Sequence, residues 1–374
     1  MAVLAGAIYV FTILVPHTDA RQNAVKDHAP YTISAPARAL HNTLYIADMH
    51  TDSLLWRRDP AKRWDRGHAD IPRLREGGVN FQIFSAVTKS PRGLNFDGNR
   101  ADAPDDIALL VKAQLWPLRT WNSLYERAAY QAERLHKLES DPEHNLIIAR
   151  RAADLEQPAG TLVTLLLIEG AHPLEGDIEN IARLYAAGYR AMGLQHFFDN
   201  ALGGSKHGVD KSGLTEFGSR AVLEMHRQGL IIDVAHSSDA VVRDVLALIE
   251  GPIFISHGGT VSHCPHTANR NLPDDILKRI AARGGILGVG YFEGAICDSS
   301  PAGIAAAITD AITLLGPDAV ALGSDFDGGV TTTLDTSELA AITQALLESG
   351  METALIRKVM GENARRFFAD NLPQ

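Results

Sequence analysis

The sequence predicts a (β/α)₈ barrel of the TIM type, an α/β fold in which eight parallel strands alternate with helices. Short apolar runs alternate with longer amphipathic segments along most of the chain, which is the pattern of repeated βα units. The runs at 161–168 and 230–235 are almost continuously apolar, as is typical of parallel strands buried on both faces. The first run ends in Asp-Met-His-Thr-Asp (48–52) and lacks the Gly-rich nucleotide turn of an open doubly wound sheet.

Eight apolar runs are predicted to form the strands of this barrel. They span residues 44–48, 79–86, 161–168, 189–194, 230–235, 252–256, 285–291 and 319–323. Helical patterns span residues 104–139, 215–228, 239–250, 273–283, 301–315, 336–348 and 352–369. Since α/β barrels often occupy a chain of this length, we predict a single barrel domain over residues 41–374.

The N-terminal region precedes the predicted domain. Residues 1–16 are apolar and carry no charge, which predicts a signal peptide or an uncleaved N-terminal anchor. Either interpretation places the folded body outside the cytoplasm, as an exported, periplasmic or membrane-anchored protein. Residues 17–40 are polar and contain Pro30 and Pro36, so we expect a linker there.

Composition excludes some classes of partner. The net charge of −10, with no long basic run, argues against a nucleic-acid partner, because phosphate binding needs clustered Lys and Arg. The two cysteines, Cys264 and Cys297, are too few for a disulfide scaffold. A single bridge between them and two unpaired thiols both remain open.

Metal-ligating side chains follow six of the predicted strands, at the end where barrel enzymes build their active sites. A histidine after one strand is more often a hydrogen-bonded core or loop residue than a metal ligand. Six strands that end in His, Asp or Glu nevertheless point to a shared site. These residues are His50 and Asp52, Glu169, His196 after Gln195, His236, His257 and Asp325.

This residue set fits two zinc ions per chain. Zinc takes imidazole nitrogens and carboxylate oxygens, and a pair of ions needs a bridging ligand. Glu169 is the candidate bridge, since a carboxylate has two oxygens and Gly170 after it lets other backbone approach. His50 and Asp52 lie two residues apart and can face one ion. His236 and His257, from adjacent strands, can face the other.

Six ordered motifs resemble the membrane (renal-type) dipeptidase family of the amidohydrolase superfamily. They are Asp-Met-His-Thr-Asp (48–52), Ile-Glu-Gly-Ala (168–171), Asp-Val-Ala-His-Ser-Ser (233–238), Ile-Ser-His (255–257), Arg-Asn-Leu-Pro-Asp-Asp (270–275) and Gly-Ser-Asp-Phe-Asp-Gly (323–328). The resemblance implies a zinc-dependent dipeptidase in which a metal-bridging hydroxide attacks the peptide bond of a dipeptide. It also implies the two-metal ligand set given above.

The resemblance assigns roles to three further residues. It implies that His196 polarises the scissile carbonyl, that Arg270 holds the free carboxylate of the substrate, and that Asp325 transfers protons. Each role is chemically reasonable, since a guanidinium fork matches a planar carboxylate and a carboxylate can accept the proton of a metal-bound water. In the Asp-Phe-Asp-Gly sequence, Asp327 fits a turn role better than Asp325 does.

Some features leave alternatives open. Hydrolysis of another amide, a β-lactam or a lactone on the same metals is the runner-up activity, and a non-catalytic binding protein would show a broken ligand set. The segment between His257 and Arg270 is slightly longer than expected for the animal enzymes. His263 and His266 lie in it, and a substrate-contacting and a structural role both remain open for them. Segment 88–138 is expected to carry substrate selectivity or the contact of a homodimer.

Overall fold

Residues 13–374 are described by the structure, a computed structural model. Nine strands lie within them. They are β1 Ile46–Thr51, β2 Val79–Val87, β3 Leu146–Ile148, β4 Leu162–Glu169, β5 Tyr189–Gly193, β6 Ile231–Asp233, β7 Phe254–Gly258, β8 Ile286–Val289 and β9 Val320–Leu322.

Eight of these strands close into a parallel barrel. The order is β2-β1-β9-β8-β7-β6-β5-β4, and β2 pairs with β4 along seven residue pairs from Phe81↔Val163 to Val87↔Glu169. The predicted (β/α)₈ barrel is therefore confirmed. The short strand β3 was not predicted, and it pairs with the start of β4 outside the ring of eight.

Fourteen α-helices occur in residues 13–374. They are α1 Val15–Gln22, α2 Ala35–His41, α3 Ile71–Glu76, α4 Asp106–Ala113, α5 Leu124–Glu139, α6 Glu179–Ala186, α7 Glu216–Gln228, α8 Asp239–Leu248, α9 Asp274–Ala281, α10 Glu293–Ile296, α11 Pro301–Leu315, α12 Ala340–Glu348, α13 Thr353–Arg357 and α14 Asn363–Asn371. None of these helices is long and apolar enough to cross a membrane.

The helix predicted over 104–139 is wrong as a single element. Helix α4 ends at Ala113, and α5 begins only at Leu124. Between them Leu115 adopts a left-handed backbone with φ 58°, and Pro117 cannot donate the next helical hydrogen bond. The helix predicted over 352–369 contains a π-helical turn between α13 and α14. Helices α3, α6 and α10 were not predicted.

The segment predicted as a linker contains helix at both ends. Helix α1 extends into it from Val15, and α2 closes it with Ser34 as an N-cap that accepts from the Ala37 amide. The intervening chain pairs with the body, because the Lys26 amide donates to the Thr332 carbonyl at 2.8 Å. The predicted leader over residues 1–16 lies mostly outside the described residues.

The barrel interior is filled by apolar side chains from alternate strand positions. Phe81, Phe254 and their neighbours on the other strands form one buried cluster with Phe367 and Phe368 of α14. Because Phe81 and Phe254 stand near the starts of their strands, α14 closes that end of the barrel. The opposite end, where the strands finish, is left for the site.

Candidate active site

The strand ends bring the predicted metal ligands into one buried cluster. His50 and His257 lie within β1 and β7, Glu169 ends β4, and His236 follows β6 by three residues. Gly170 has φ 82°, and a Cβ there would lie 3.0 Å from the His196 backbone nitrogen. The close approach expected after Glu169 is therefore present.

Glu169 stands at the centre of the cluster. Its Oε1 lies 3.0 Å from Nε2 of His236, 3.5 Å from Nε2 of His257 and 3.7 Å from Nε2 of His50. Its Oε2 lies 3.5 Å from Nε2 of His196. One carboxylate thus faces imidazoles from four different strand ends.

The remaining carboxylates approach the same cluster from the side of β1. Nε2 of His50 lies 3.5 Å from Oδ1 of Asp52 and 3.9 Å from Oδ1 of Asp325. Three overlapping groups of potential metal ligands result, each with its donor atoms within 4.8 Å of one another. They are His50, Glu169 and His257; Glu169, His196 and His236; and His50, Asp52 and Asp325.

These donors fit a divalent transition metal. Nε2 of His50 and Oδ1 of Asp52 are buried and have no hydrogen-bond partner within the described chain. Such atoms are costly to bury unless a ligand satisfies them. Imidazole nitrogens with carboxylate oxygens are the ligands that zinc and its neighbours in the first transition series prefer.

Ser256 fixes the ring orientation of two of the histidines. Its Oγ lies 3.1 Å from Nδ1 of His50 and 2.9 Å from Nδ1 of His257, and it donates to Oδ2 of Asp233 at 2.6 Å. Because the Ser256 hydroxyl donates its proton to Asp233, the lone pairs of Oγ accept hydrogen bonds from the Nδ1–H groups of both rings. Nε2 of each ring is then the nitrogen that faces the cluster, as metal ligation requires.

Burial and neighbouring charge perturb the pKa values in this cluster. Burial lowers the pKa of His50, but Glu169, Asp52 and Asp325 outweigh that effect and raise it to about 10. Burial raises the pKa of Asp325 to about 7, against the opposing influence of His50. Burial lowers the pKa of His196 to about 4.

His196 and Arg270 both lie at the cluster. Nδ1 of His196 lies 3.1 Å from the Lys89 carbonyl, which can only accept, so this nitrogen carries the proton. The Arg270 guanidinium donates to the carbonyls of Ala235 at 2.9 Å and His257 at 3.3 Å, and is almost fully buried. Backbone therefore already holds the guanidinium beside the metal-ligand loops.

The loop after β9 places its two aspartates in different surroundings. Both have left-handed backbones with φ 63°. Asp325 faces the cluster, whereas Asp327 accepts from the His68 amide at 2.7 Å and from Ser53 Oγ at 2.6 Å. Asp327 therefore has the structural role that its sequence position suggested.

A cavity of about 590 Å³ opens above the cluster. Every predicted site residue except His50 lines it, together with apolar residues from several loops. Segment 88–138 contributes Ser90, Pro91, Gly93, Leu94, Phe96, Asp106, Ile107, Leu109, Leu110 and Ala113. The position of this segment is thus compatible with the expected influence on selectivity.

The loop after β7 is organised by contacts outside the cavity. Nδ1 of His263 lies 2.7 Å from Oδ2 of Asp310, and His266 is exposed. Neither histidine lines the cavity. Cys264 and Cys297 form a disulfide that ties this loop to the segment after β8, which resolves the alternative left open by the sequence.

Sequence reasoning missed Ser256, Asp233 and the whole of helix α1 as contributors to the site. A hydroxyl directly before His257 and an acid three residues before His236 were the available signals for the first two. For helix α1 no sequence pattern indicated a place at the site, since only the tertiary structure brings its residues to the cavity.

A family model described as membrane dipeptidase (peptidase family M19) matches residues 34–371. Dipeptidase aclJ of Aspergillus oryzae is 28% identical over 365 residues, covering 90% of this chain and 80% of the fungal protein. Dipeptidase verJ of Clonostachys rogersoniana is 28% identical over 308 residues, covering 80% of this chain and 74% of that protein.

Solved structures share the fold. An amidohydrolase from Pseudomonas aeruginosa superimposes with a TM-score of 0.69 at 22% identity, covering 90% of this chain and 99% of that one. A metallopeptidase from Rhodobacter sphaeroides, liganded with a phosphinate mimic of the dipeptide L-Ala-D-Ala, gives 0.71 at 23% identity. That match covers 88% of this chain and 99% of the other.

Proposed function

Because this chain belongs to the membrane dipeptidase family and is a metal-dependent dipeptidase, we propose that two zinc ions occupy the cluster around Glu169. The observation that carries the proposal is the position of this carboxylate, whose Oε1 lies within 3.7 Å of the Nε2 atoms of three histidines. A bridging carboxylate needs ligands on both sides of it.

The proposed ligands divide into two sets that share Glu169. His50 and Asp52 would hold one ion, and the unpartnered His50 Nε2 and Asp52 Oδ1 support this assignment. His236 and His257 would hold the other, supported by their Nε2 atoms lying 3.0 Å apart. When bound, the ions would polarise the scissile carbonyl and lower the pKa of a water molecule.

Asp325 is proposed as the group that moves protons. Its carboxylate would accept a proton from the attacking water and donate it to the departing amine. The position of Asp325 supports this role, because its Oδ1 lies 3.9 Å from Nε2 of His50. The burial that raises its pKa to about 7 supports it as well, since a proton carrier works best near the operating pH.

Arg270 and His196 are proposed to orient the dipeptide. The Arg270 fork would hold the free carboxylate, so the distance from it to the metals would select short substrates. His196 would stabilise the negative charge that develops on the carbonyl oxygen. Because Nδ1 of His196 donates to the Lys89 carbonyl, Nε2 can donate to that oxygen only when the ring carries a second proton. Burial opposes this proton by lowering the pKa of His196 to about 4, whereas the negative charge developing on the carbonyl oxygen would favour it.

Metal analysis and one matched pair of variants test this function. Protein purified without chelator is expected to contain about two zinc ions per chain. Asp325→Asn is expected to keep its zinc but lose about 100-fold or more in kcat for dipeptides. The control Asp102→Asn changes an aspartate whose side chain is 70% exposed, so its zinc content and kcat should match those of the wild type. Fewer than about one tightly held ion would contradict the two-metal site, and an unchanged Asp325→Asn rate would contradict the proton transfer.

The substrate range is tested with L-Ala-L-Ala, L-Ala-D-Ala, a β-lactam and a lactone. The relative from Rhodobacter sphaeroides binds a mimic of L-Ala-D-Ala, which supports including both stereoisomers. We expect hydrolysis of dipeptides. Faster turnover of the lactone or the β-lactam would instead favour the runner-up activity.

We also propose that the protein works outside the cytoplasm. The uncharged apolar residues 1–16 support export, and the Cys264–Cys297 disulfide supports an oxidising compartment. Thiol alkylation of the protein from fractionated cells tests this. The expected result is an oxidised cysteine pair in the exported or membrane fraction, and reduced cysteines in the cytoplasmic fraction would contradict it.

A further inference from the structure

We propose that helix α1 forms a wall of the substrate cavity and limits the size of the dipeptide side chain that can enter. The inference rests on the proposed function and adds a specificity element to it. Five residues at or next to this helix line the cavity that also contains Asp52, His196 and Arg270. They are Leu14, Val15, Thr18, Arg21 and Gln22.

The helix presents one side to the body and another to solvent. Val15 and Asp19 are buried and Thr18 is half-buried, whereas His17 and Ala20 are exposed. This spacing is that of a helix whose one face packs against the protein. The helix is therefore attached to the body through its buried face, while Leu14, Arg21 and Gln22 of the wall are exposed.

Buried charges attach helix α1 to the loop that carries Asp325. Oδ2 of Asp19 accepts from Nε of Arg58 at 3.0 Å, and Nη2 of Arg58 lies 2.7 Å from Oδ1 of Asp327. The side chains of all three residues are at most 3% exposed. Asn23, just after the helix, accepts from the Gly329 amide at 3.0 Å. The wall is thus attached to the loop after β9, which carries Asp325.

Helix α1 also lies outside the part of the chain that defines the family. The family match begins at residue 34, whereas the helix ends at Gln22. The shared dipeptidase domain therefore does not account for this wall.

The rest of the cavity indicates which side chains the wall would select. Leu55, Trp56, Val87, Ile107 and Leu110 line it and belong to one apolar cluster. The cavity volume of about 590 Å³ lies in the range of pockets for drug-sized ligands, about 300–1,000 Å³. The geometry points to dipeptides with one large apolar side chain, such as phenylalanine, as well as small ones.

Substitutions at Thr18 test the size limit. Thr18→Leu and Thr18→Trp extend the wall into the cavity, and kcat/KM is measured for Ala-Ala, Phe-Ala and Ala-Phe. For at least one phenylalanyl dipeptide, kcat/KM is expected to fall about tenfold or more, and further in Thr18→Trp than in Thr18→Leu. Ala-Ala is expected to stay within about threefold of the wild-type value.

Two further variants keep the test decisive. Ala20→Trp places the same indole on the exposed side of the helix and should leave all three substrates unchanged. Gln22→Ala shortens a cavity-lining side chain that lies beyond the predicted leader, and it should shift preference toward the larger substrate side chain even if a Thr18 variant fails to fold. The inference alone would be overturned if the Thr18 variants had no effect, or the same effect on all three dipeptides, and Gln22→Ala showed no shift. A wild-type protein inactive on all three dipeptides would overturn the proposed function together with it.

Discussion

Ser256 shows how one hydroxyl sets the chemistry of two imidazoles. It accepts from Nδ1 of His50 and of His257 and donates to Asp233, so Nε2 is the nitrogen that faces the cluster in both rings. The two histidines are proposed to serve different ions. A single side chain therefore supports both halves of the metal site.

Replacing Ser256 should weaken both metal sites together. We expect Ser256→Ala to lower the affinity for each ion about 10- to 100-fold, because each ring loses the partner that fixes its tautomer. Competition with a chromogenic chelator measures this without reference to activity. Ser85→Ala is the control, since Oγ of Ser85 is buried and has no hydrogen-bond partner within the described chain. A lower affinity for only one of the two ions would contradict a role of Ser256 in both metal sites.

Asp327 illustrates a buried charge that stabilises the fold only when ionised. Burial alone would raise the pKa of this carboxyl, but Arg58, His68 and Ser53 outweigh it and hold the pKa well below its usual range. A carboxyl whose folded pKa is depressed contributes stability above its unfolded pKa, about 3.9. That contribution is lost as the pH falls from there toward the folded pKa.

The cost of Asp327→Asn should therefore depend on pH. We expect the substitution to lower the free energy of unfolding by about 3 kcal/mol at pH 7 and to cost progressively less below about pH 4. Urea unfolding of both proteins at pH 7, 5 and 3.5 measures the difference. A cost that is constant over this range would show that the carboxylate charge is unimportant.

At the scale of elements, loops rather than strands connect the N-terminal region to the active site. Arg58, in the loop after β1, lies between Asp19 of helix α1 and Asp327 of the loop after β9. Gly67 packs against it, with φ 70° and a position where a Cβ would lie 2.3 Å from Cζ of Arg58. The Arg58 guanidinium therefore connects helix α1, the loop after β1 and the loop after β9.

Removing that guanidinium should be costly. We expect Arg58→Met to destabilise the protein by about 3–5 kcal/mol, because Asp327 would be left as a buried charge without its arginine partner and Asp19 would keep only Arg66 as a cationic partner. The matched control is Arg100→Met, whose pair with Asp102 is 77% and 70% exposed and should have little effect on stability. Chemical denaturation measures both variants, and equal effects would contradict the argument.

Element prediction succeeded where a local pattern was sufficient. The nearly continuous apolar run at 161–168 corresponds to β4, as expected for a buried parallel strand. The run at 79–86, in which polar residues interrupt the apolar ones, corresponds to β2. The prediction of one helix over 104–139 was wrong because the amphipathic pattern continues across the break at Leu115. Strand β3 is three residues long, too short to produce a periodic signal.

At the scale of the whole molecule, the barrel gathers carboxylates that would repel one another without a cation. Asp52, Glu169 and Asp325 are all buried and all within 4 Å of Nε2 of His50. Folding the chain around this cluster is costly unless positive charge is bound there. The metal is therefore expected to stabilise the fold as well as to serve the chemistry.

Chelation should lower the thermal stability. We expect the unfolding midpoint to fall by roughly 5 °C or more when the metal is removed, since a ligand bound only by the native state adds to its stability. Calorimetry before and after dialysis against a chelator measures this. Added zinc should restore the midpoint and added magnesium should not, because the ligands include imidazoles. A midpoint unaffected by the chelator would contradict a structural contribution of the metal.

The sequence by itself determined the barrel and the chemical character of its strand ends. Apolar runs predict strands locally, and His50, Glu169, His236 and His257 could be proposed as ligands because each is adjacent in sequence to such a run. Only the tertiary structure decided which groups from distant parts of the chain meet. Ser256 contacts a histidine 206 positions away, and helix α1 lines the cavity while pairing with Arg58 of the loop after β1. Such contacts depend on barrel closure and loop packing, for which local periodicity carries no information.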